Sequence, residues 1–168
     1  MALCIRERIF SWTEKYDVFD EKQNVLYSVK GEFWSLGHKI HIYDASGKEV
    51  AFIREKAWSF FKKFEIYING EKMGLLREKF SWFHPRYEVD FMDIQVEGDI
   101  FAWDYQMIQK GEPFGMIQRK IFSWANVYYL SYPDPKNELP ILALSIAIDA
   151  AHNDDDTAMI AGIAASSH

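Results

Sequence analysis

One short phrase recurs along almost the whole chain at a nearly constant spacing. Its clearest copies begin with basic residues and end with a serine between two aromatic residues, as in Arg-Glu-Lys-Phe-Ser-Trp at residues 77–82. The equivalent points of the six copies are Arg6, Lys30, Arg54, Arg77, Glu97 and Gln118. Successive copies lie 24, 24, 23, 20 and 21 residues apart. A repeat this regular predicts a fold assembled from one supersecondary unit used several times.

Each period of the repeat predicts a β-hairpin. Asn69-Gly70, the strongest two-residue turn signal in the chain, follows a segment in which apolar residues alternate with polar ones, with Phe64 and Ile66 on one face and Glu65 on the other. Six periods of two strands predict a mainly β fold of about twelve antiparallel strands in up-and-down order. Closure into a barrel removes the exposed sheet edges that so many strands would otherwise leave.

A barrel of about twelve strands leaves an axial space, and the C-terminal region offers a segment to fill it. Residues 139–151 predict a hydrophobic helix with Pro140 in its first turn. Its uninterrupted apolar stretch would span roughly 15 Å, too short for a bilayer, so we expect burial inside the barrel and no transmembrane span. The predicted central-helix residues are Ile141, Leu142, Leu144, Ile146, Ile148 and Asp149. Asp149, the one charge in this stretch, should need a partner if it is enclosed.

The acidic residues that follow are expected to end this helix. Residues 154–156 are three consecutive aspartates, and the last dozen residues are expected to form either a short weak helix or an unordered end. We therefore predict a single domain at 1–152, including the central helix, and a weakly structured tail at 153–168.

Composition narrows the functional classes. The 168 residues carry a formal charge of −6, and a general nucleic-acid binder would show a basic excess instead, so no nucleic-acid partner is expected. Cys4 is the single cysteine, which excludes an intramolecular disulfide and a cysteine-rich metal site. No secretory signal is visible at the start of the sequence, so a cytoplasmic location is predicted.

Taken together, the arrangement resembles the LURP-one-related family of the tubby C-terminal-like group, which includes the phospholipid scramblases. The resemblance is carried by the repeated basic-aromatic-Ser-Trp hairpins over residues 6–132, by the turn-plus-glycine segments at 70–75 and 111–116, and by the apolar helix ending at Ile148-Asp149. It implies a twelve-stranded barrel around a central helix, and it implies no enzyme activity. Tubby relatives bind phosphoinositides through basic surface residues, but no residue of such a site matches a motif here.

The basic residues of the repeated phrases are the candidate contacts for an anion or lipid. They are Arg6, Arg8, Arg54, Lys56, Arg77, Lys79, Arg119 and Lys120. Equivalent positions of successive hairpins lie at similar heights on a barrel, so these bases would form a belt able to meet anionic headgroups. The alternative is that Glu7, Glu55 and Glu78 lie among these bases and that cross-strand ion pairs simply solvate the barrel wall.

Signatures of catalysis are missing from the sequence. It contains no Gly-x-Ser-x-Gly nucleophile motif and no glycine-rich phosphate loop, and its histidines lack the spacing of metal ligands. The tryptophans of the repeats are expected to be packing residues. We therefore predict no enzyme activity and no cofactor: a soluble binding or scaffold module whose ligand and partners the sequence does not identify. The alternative is a peripheral membrane protein that binds anionic phospholipid headgroups through the barrel wall.

Overall fold

The computed structural model describes residues 1–6, 15–32, 37–57, 61–79, 86–121 and 126–165. The first six strands are β1 (Ala2–Arg6), β2 (Tyr16–Asp20), β3 (Val25–Glu32), β4 (Lys39–Asp44), β5 (Glu49–Glu55) and β6 (Lys63–Ile68). The next six are β7 (Glu71–Lys79), β8 (Arg86–Phe91), β9 (Ile94–Asp99), β10 (Asp104–Gln109), β11 (Glu112–Ile121) and β12 (Asn126–Ser131). A 3-10 turn at Pro135–Asn137 leads into α1 (Glu138–Ala165).

The strands form one antiparallel sheet that curves into a nearly closed barrel. Its order is β8-β7-β6-β5-β4-β3-β2-β1-β12-β11-β10-β9, so strands that follow one another in sequence are neighbours, and β1 pairs with β12. The prediction of a mainly β, up-and-down barrel of about twelve strands enclosing a C-terminal helix is confirmed. The two ends of the strand order, β8 and β9, are joined by the turn Met92-Asp93, but no ladder between them is present in the described residues.

The sequence repeat corresponds to a hairpin with a bulge close to its turn. Asn69 and Gly70 have φ values of +51° and +82°, and Lys110 and Gly111 repeat this geometry at +52° and +82°. Near each of these turns the pairing register shifts by one residue, and the β2–β3 and β4–β5 hairpins shift at the corresponding place. Bulges increase the local twist, which helps a sheet to curve into a barrel.

Two glycines beside these bulges permit close approaches that a side chain would block. A Cβ atom on Gly74 would lie 2.1 Å from the carbonyl oxygen of Asp90. A Cβ atom on Gly115 would lie 2.1 Å from Cδ1 of Ile141. Gly74 therefore lets β8 approach β7, and Gly115 lets the helix approach the barrel wall. Both belong to the turn-plus-glycine segments of the sequence.

The first half of α1 fills the barrel. The six predicted central-helix residues, Ile141 to Asp149, are each at most 3% exposed. The helix packs most closely against β5 and β6, whose inward residues Ile53 and Ile66 are fully buried. Removing this apolar surface from water is the main term that holds wall and helix together.

The predicted end of the helix near Ala151 was wrong. The backbone of α1 continues to Ala165, past the three aspartates that were expected to stop it. An aspartate costs a helix only a few tenths of a kcal/mol, and neither proline nor glycine occurs in α1 between Pro140 and Gly162. None of the helices in the described ranges is both long and apolar enough to cross a membrane. The division of the chain at residue 152 stays a prediction.

The start of α1 is tethered to the wall by polar contacts. The Glu138 carboxylate accepts hydrogen bonds from the hydroxyls of Tyr27, at 2.7 Å, and Tyr132. Burial raises the pKa of both tyrosines, and the hydrogen bond to Glu138 raises it further. Asn137 donates from Nδ2 to the carbonyl oxygen of Phe114 at 3.0 Å. These contacts fix where the helix enters the barrel.

Candidate functional site

Basic side chains from two neighbouring hairpins converge on one carboxylate on the outer face of the barrel. Arg54 on β5 is the cross-strand neighbour of Glu65 on β6. Tyr67 lies two residues further along the same face, and the Asn69-Gly70 turn places Lys72 opposite it. We call Arg54, Lys56, Glu65, Tyr67 and Lys72 the Glu65 cluster.

The Glu65 carboxylate uses both of its oxygens. Oε2 accepts from Arg54 Nη2 at 2.7 Å and from the Tyr67 hydroxyl at 3.1 Å. Oε1 lies 2.6 Å from Lys72 Nζ and 3.4 Å from Lys56 Nζ. The Arg54 guanidinium also contacts the Tyr67 hydroxyl at 3.2 Å and lies over its ring, 5.8 Å from the centroid.

Within the Glu65 cluster the carboxylate is buried and the cations are not. The side chain of Glu65 is 5% exposed, whereas those of Arg54, Lys56 and Lys72 are 46%, 52% and 43% exposed. Burial opposes ionisation of Glu65, but the hydrogen bonds from these cations and from Tyr67 outweigh it and lower its pKa to about 2. Three cations around one carboxylate leave a local excess of two positive charges at the surface.

The other predicted contact residues lie in separate places. Lys79 forms an ion pair with Glu88 at 2.9 Å, and Arg77 on the same strand is half-buried, with no hydrogen-bond partner for its Nε in the described residues. Arg6, at the end of β1, donates to Gln23 and lies over the ring of Phe19, 5.6 Å from the centroid.

On the opposite part of the wall, Lys120 Nζ lies 4.9 Å from the centroid of the Tyr129 ring, and Arg119 is exposed on β11. Arg8 lies outside the described residues. Of the predicted contacts, Arg54 and Lys56 are the two that the structure joins at a single carboxylate.

The acids next to the basic pairs in sequence have other partners. Glu55 accepts hydrogen bonds from the backbone N–H of His38 at 3.0 Å and lies 2.8 Å from its Nδ1. Glu78 accepts from the backbone N–H of Lys62 at 3.3 Å, and Glu7 lies outside the described residues. The acids that pair with Arg54, Lys56 and Lys79 lie on neighbouring strands: Glu65 for the first two and Glu88 for Lys79.

Polar groups also occur inside the barrel, at contacts between helix and wall. Asp149 is buried; burial raises the pKa of Tyr16 and of Tyr105, and the charge of Asp149 raises both further. Ser145 donates to the carbonyl oxygen of Ile141 at 2.5 Å. Beside Ser145, a small apolar pocket lies between the wall and the helix. Cys4 is a buried free thiol whose pKa is raised by burial.

The described parts of the chain hold no group of three or more His, Cys, Asp or Glu side chains placed to bind a metal ion. Trp103 is buried, with its ring centroid 4.8 Å from that of Tyr128, as expected of a packing residue. The remaining repeat tryptophans, Trp12, Trp34, Trp58, Trp82 and Trp124, lie outside the described residues.

Sequence reasoning missed Lys72 and the role of Glu65 in joining the cations. The signal for Lys72 was present, because a two-residue turn at Asn69-Gly70 places Lys72 opposite Tyr67 on the outer face. The pairing of Arg54 with Glu65 had no comparable signal, because a longer connection joins β5 to β6 and leaves their register open.

Comparison with known proteins gives three matches. The family model described as LURP-one-related matches residues 1–149. The uncharacterized protein YxjI of Bacillus subtilis (strain 168) is 26% identical over 158 residues, which cover 93% of this chain and 97% of the relative. The X-ray structure of a protein from Arabidopsis thaliana superimposes with a TM-score of 0.59 at 16% identity and covers 89% of this chain and 91% of the other. The last similarity concerns the fold, which is tubby C-terminal-like.

Proposed function

Because this chain belongs to the LURP-one-related family, and because its barrel is filled by its own helix, we propose that it is a non-enzymatic binding module that contacts its partners from the outer surface. The single observation that carries the proposal is the burial of α1. Its residues Ile141 to Ala151 take the axial position that a ligand would occupy in an open barrel of this size.

The polar groups of the interior support the same conclusion. Ser145 is bonded to the helix backbone, and the Glu138 carboxylate is held by Tyr27 and Tyr132. Each of these groups serves the packing of helix against wall. The charged side chains described above that reach solvent lie on the outer face of the barrel. Among their groups, the Glu65 cluster brings the most charged side chains together.

Hydrogen exchange tests whether the interior stays filled. We expect the amides of residues 141–149 to exchange as slowly as those of β6, because both are then released by global unfolding alone. A Tyr27→Phe/Tyr132→Phe variant, which loosens the helix start, provides the reference for faster exchange. Exchange of the parent helix about tenfold faster than β6 would mean that α1 leaves the barrel at low cost, and would contradict a purely external binding function.

A second candidate function is peripheral attachment to anionic phospholipid headgroups. The Glu65 cluster favours it, since three half-exposed cations are held within reach of one another by a carboxylate whose charge they exceed. Near an anionic membrane surface each Lys or Arg contributes about 1 kcal/mol to attraction. The net charge of −6 opposes this attraction, so any contact must be local to the cluster.

Vesicle co-sedimentation tests the lipid candidate. Phosphatidylcholine vesicles with and without phosphatidylserine are compared for the parent, for Lys56→Gln/Lys72→Gln, and for Lys22→Gln/Lys48→Gln, a control that removes the same charge from exposed turns. We expect binding to phosphatidylserine vesicles that falls about tenfold in the cluster variant and stays near the parent value in the control. Equal binding of the two variants, or no binding of the parent, rules this candidate out.

A cytoplasmic location is part of the proposal. It is supported by the single cysteine of the chain, which is a buried free thiol and is typical of a reducing compartment. Cell fractionation of the untagged protein checks it: recovery in the cytoplasmic fraction is expected, and recovery from the culture medium contradicts it.

A further inference from the structure

The place where the barrel fails to close is a second distinctive surface. Among the strands that the structure describes, β8 pairs with β7 alone and β9 with β10 alone, and the Met92-Asp93 turn joins them. In an antiparallel strand, every other residue directs its N–H and C=O away from the paired neighbour. Both strands therefore direct backbone donors and acceptors towards the gap between them. We call Arg86–Phe91 and Ile94–Asp99 the β8–β9 seam.

The inner side of the β8–β9 seam is apolar and incompletely covered. Val89 and Val96 point towards the core but are only half-buried. On the neighbouring paired strands, Leu76 of β7 and Met107 of β10 point the same way and are fully buried. Half-buried apolar side chains at the edge of a sheet are what an added strand would cover.

The outer side of the same strands is acidic. Between residues 87 and 109 the chain has six acidic residues and no Lys, Arg or His. The six, all exposed, are Glu88, Asp90, Asp93, Glu97, Asp99 and Asp104. Glu88 is paired with Lys79, and Glu97 accepts a hydrogen bond from Gln106, but in the described part of the chain neither Asp90 nor Glu97 forms an ion pair.

We propose that the β8–β9 seam binds an extended segment of a partner protein in which basic and apolar residues alternate. The segment adds to the exposed edge as a strand, so its backbone pairs with the N–H and C=O groups that residues such as Val89 direct towards the gap. Its apolar side chains then cover Val89 and Val96, while its Lys or Arg side chains face Asp90 and Glu97. Six residues, the length of each edge strand, span about 20 Å.

The charge of the seam selects this partner over other extended segments. An acidic strand would place like charges beside Asp90 and Glu97, which is unfavourable, and an uncharged strand would leave these carboxylates without partners. The inference deepens the proposed binding function by naming one surface and one partner chemistry. The peptide assay below and the helix-exchange assay fail independently, so loss of one proposal is distinguishable from loss of the other.

A fluorescent peptide of sequence acetyl-Lys-Val-Lys-Val-Lys-Val-Lys-amide tests the seam in the full chain by fluorescence anisotropy. We expect saturable binding that weakens at least about tenfold in Asp90→Lys/Glu97→Lys. The control Glu21→Lys/Glu49→Lys changes the net charge equally at exposed positions on the β2–β3 and β4–β5 hairpins and should stay within about twofold of the parent. Circular dichroism confirms that each variant is folded.

Two further peptides separate strand addition from charge attraction. A version methylated on alternate backbone nitrogens keeps the charges but loses the donors, and should bind at least about tenfold more weakly. A version with glutamate in place of lysine should not bind. Equal binding of the methylated peptide, equal binding by the seam variant and its control, or no binding to the parent would each overturn the proposal. A parent dimer in analytical ultracentrifugation that Asp90→Lys/Glu97→Lys abolishes would also overturn it, in favour of a second copy of this chain at the seam.

Discussion

The Glu65 cluster and the β8–β9 seam lie on neighbouring parts of one sheet, but they differ in charge compensation and in strand pairing. Around Glu65, strands β5, β6 and β7 are paired along their length with one bulge between β6 and β7, and three cations from these hairpins reach one carboxylate. At the seam the ladder is missing, Asp90 and Glu97 have no cation beside them in the described chain, and the inward valines are half-buried.

This difference shows what strand pairing contributes beyond hydrogen bonds. A ladder sets the register, and the register decides which side chains meet. Where pairing is complete, opposite charges meet on the outer face and the apolar face is covered by α1. Where it stops, Asp90 and Glu97 form no ion pair among the described residues, and Val89 and Val96 on the inner face are only half-buried. The partners that we propose for the two regions differ accordingly, an anionic one at the cluster and a basic one at the seam.

The largest expected loss in free energy of unfolding comes from a substitution at the boundary between the two regions. Gly74 on β7 lies against Asp90 and Phe91 of β8, and a Cβ atom there would be 2.1 Å and 2.6 Å from their backbone atoms. Gly74→Ala should lower the free energy of unfolding by about 4 kcal/mol, because backbone cannot move aside as a flexible side chain can. Urea unfolding measures it.

The control for Gly74 is Gly70→Ala. Gly70 has φ of +82°, but no heavy atom lies within 4 Å of the place that a Cβ atom would take, so only backbone strain is added and a loss of about 1 kcal/mol is expected. Equal losses for the two variants would show that β8 does not pack closely on β7, and would remove the sharp boundary between the regions.

Core truncations compare the closed and open parts of the wall directly. Ile66→Ala, beneath the Glu65 cluster, should cost about 3 kcal/mol, whereas Val96→Ala at the seam should cost about 1 kcal/mol because water already reaches that side chain. Val18→Ala makes the same substitution as Val96→Ala, but at a fully buried and paired position. It should lower the free energy of unfolding clearly more than Val96→Ala does. Chemical unfolding gives all three values. A cost for Val96→Ala as large as that for Val18→Ala would mean that the seam is covered.

The smallest effect concerns pH and the Glu65 cluster. The pKa of Glu65 is about 2 in the folded chain, below its ordinary value of 4.5. A lowered pKa adds stability above about pH 5, and this stability is lost as the pH falls towards 2. At neutral pH, Glu65→Gln should therefore be about 2 kcal/mol less stable than the parent, with solvent screening allowed for. At about pH 2 the two proteins should be nearly equally stable. Unfolding free energies measured across this range check it.

Glu88→Gln is the matched control for the pH experiment. Glu88 is exposed, and the hydrogen bond and charge of Lys79 lower its pKa without burial. The stability difference between this variant and the parent should therefore change less with pH than that of Glu65→Gln. A constant difference for Glu65→Gln across the whole range would contradict the role of Glu65 as the centre of the cluster.

Local patterns in the sequence were enough to predict the units of the fold. The alternation at residues 63–68, the turn at Asn69-Gly70 and the apolar stretch at 139–148 act over short distances, and each appears in the structure as expected. The end of α1 was misjudged because an acidic run is a weak stop signal without glycine or proline. The belt of basic residues was recognisable as a repeat, but its division into separate groups was not, because Arg54, Lys56 and Lys79 pair with acids on neighbouring strands.

The sequence by itself determined the hairpin unit, its sixfold repetition, the outward and inward faces of the strands, and a helix too apolar to lie in water. These properties follow from residue periodicity and turn chemistry, which depend on neighbours along the chain. Only the tertiary structure decided that Glu65 gathers Arg54, Lys56 and Lys72, and that the sheet stays open between β8 and β9. Both features depend on strand register and on barrel closure, which are set when strands distant in sequence pack around the buried helix. A short stretch of sequence therefore does not specify them.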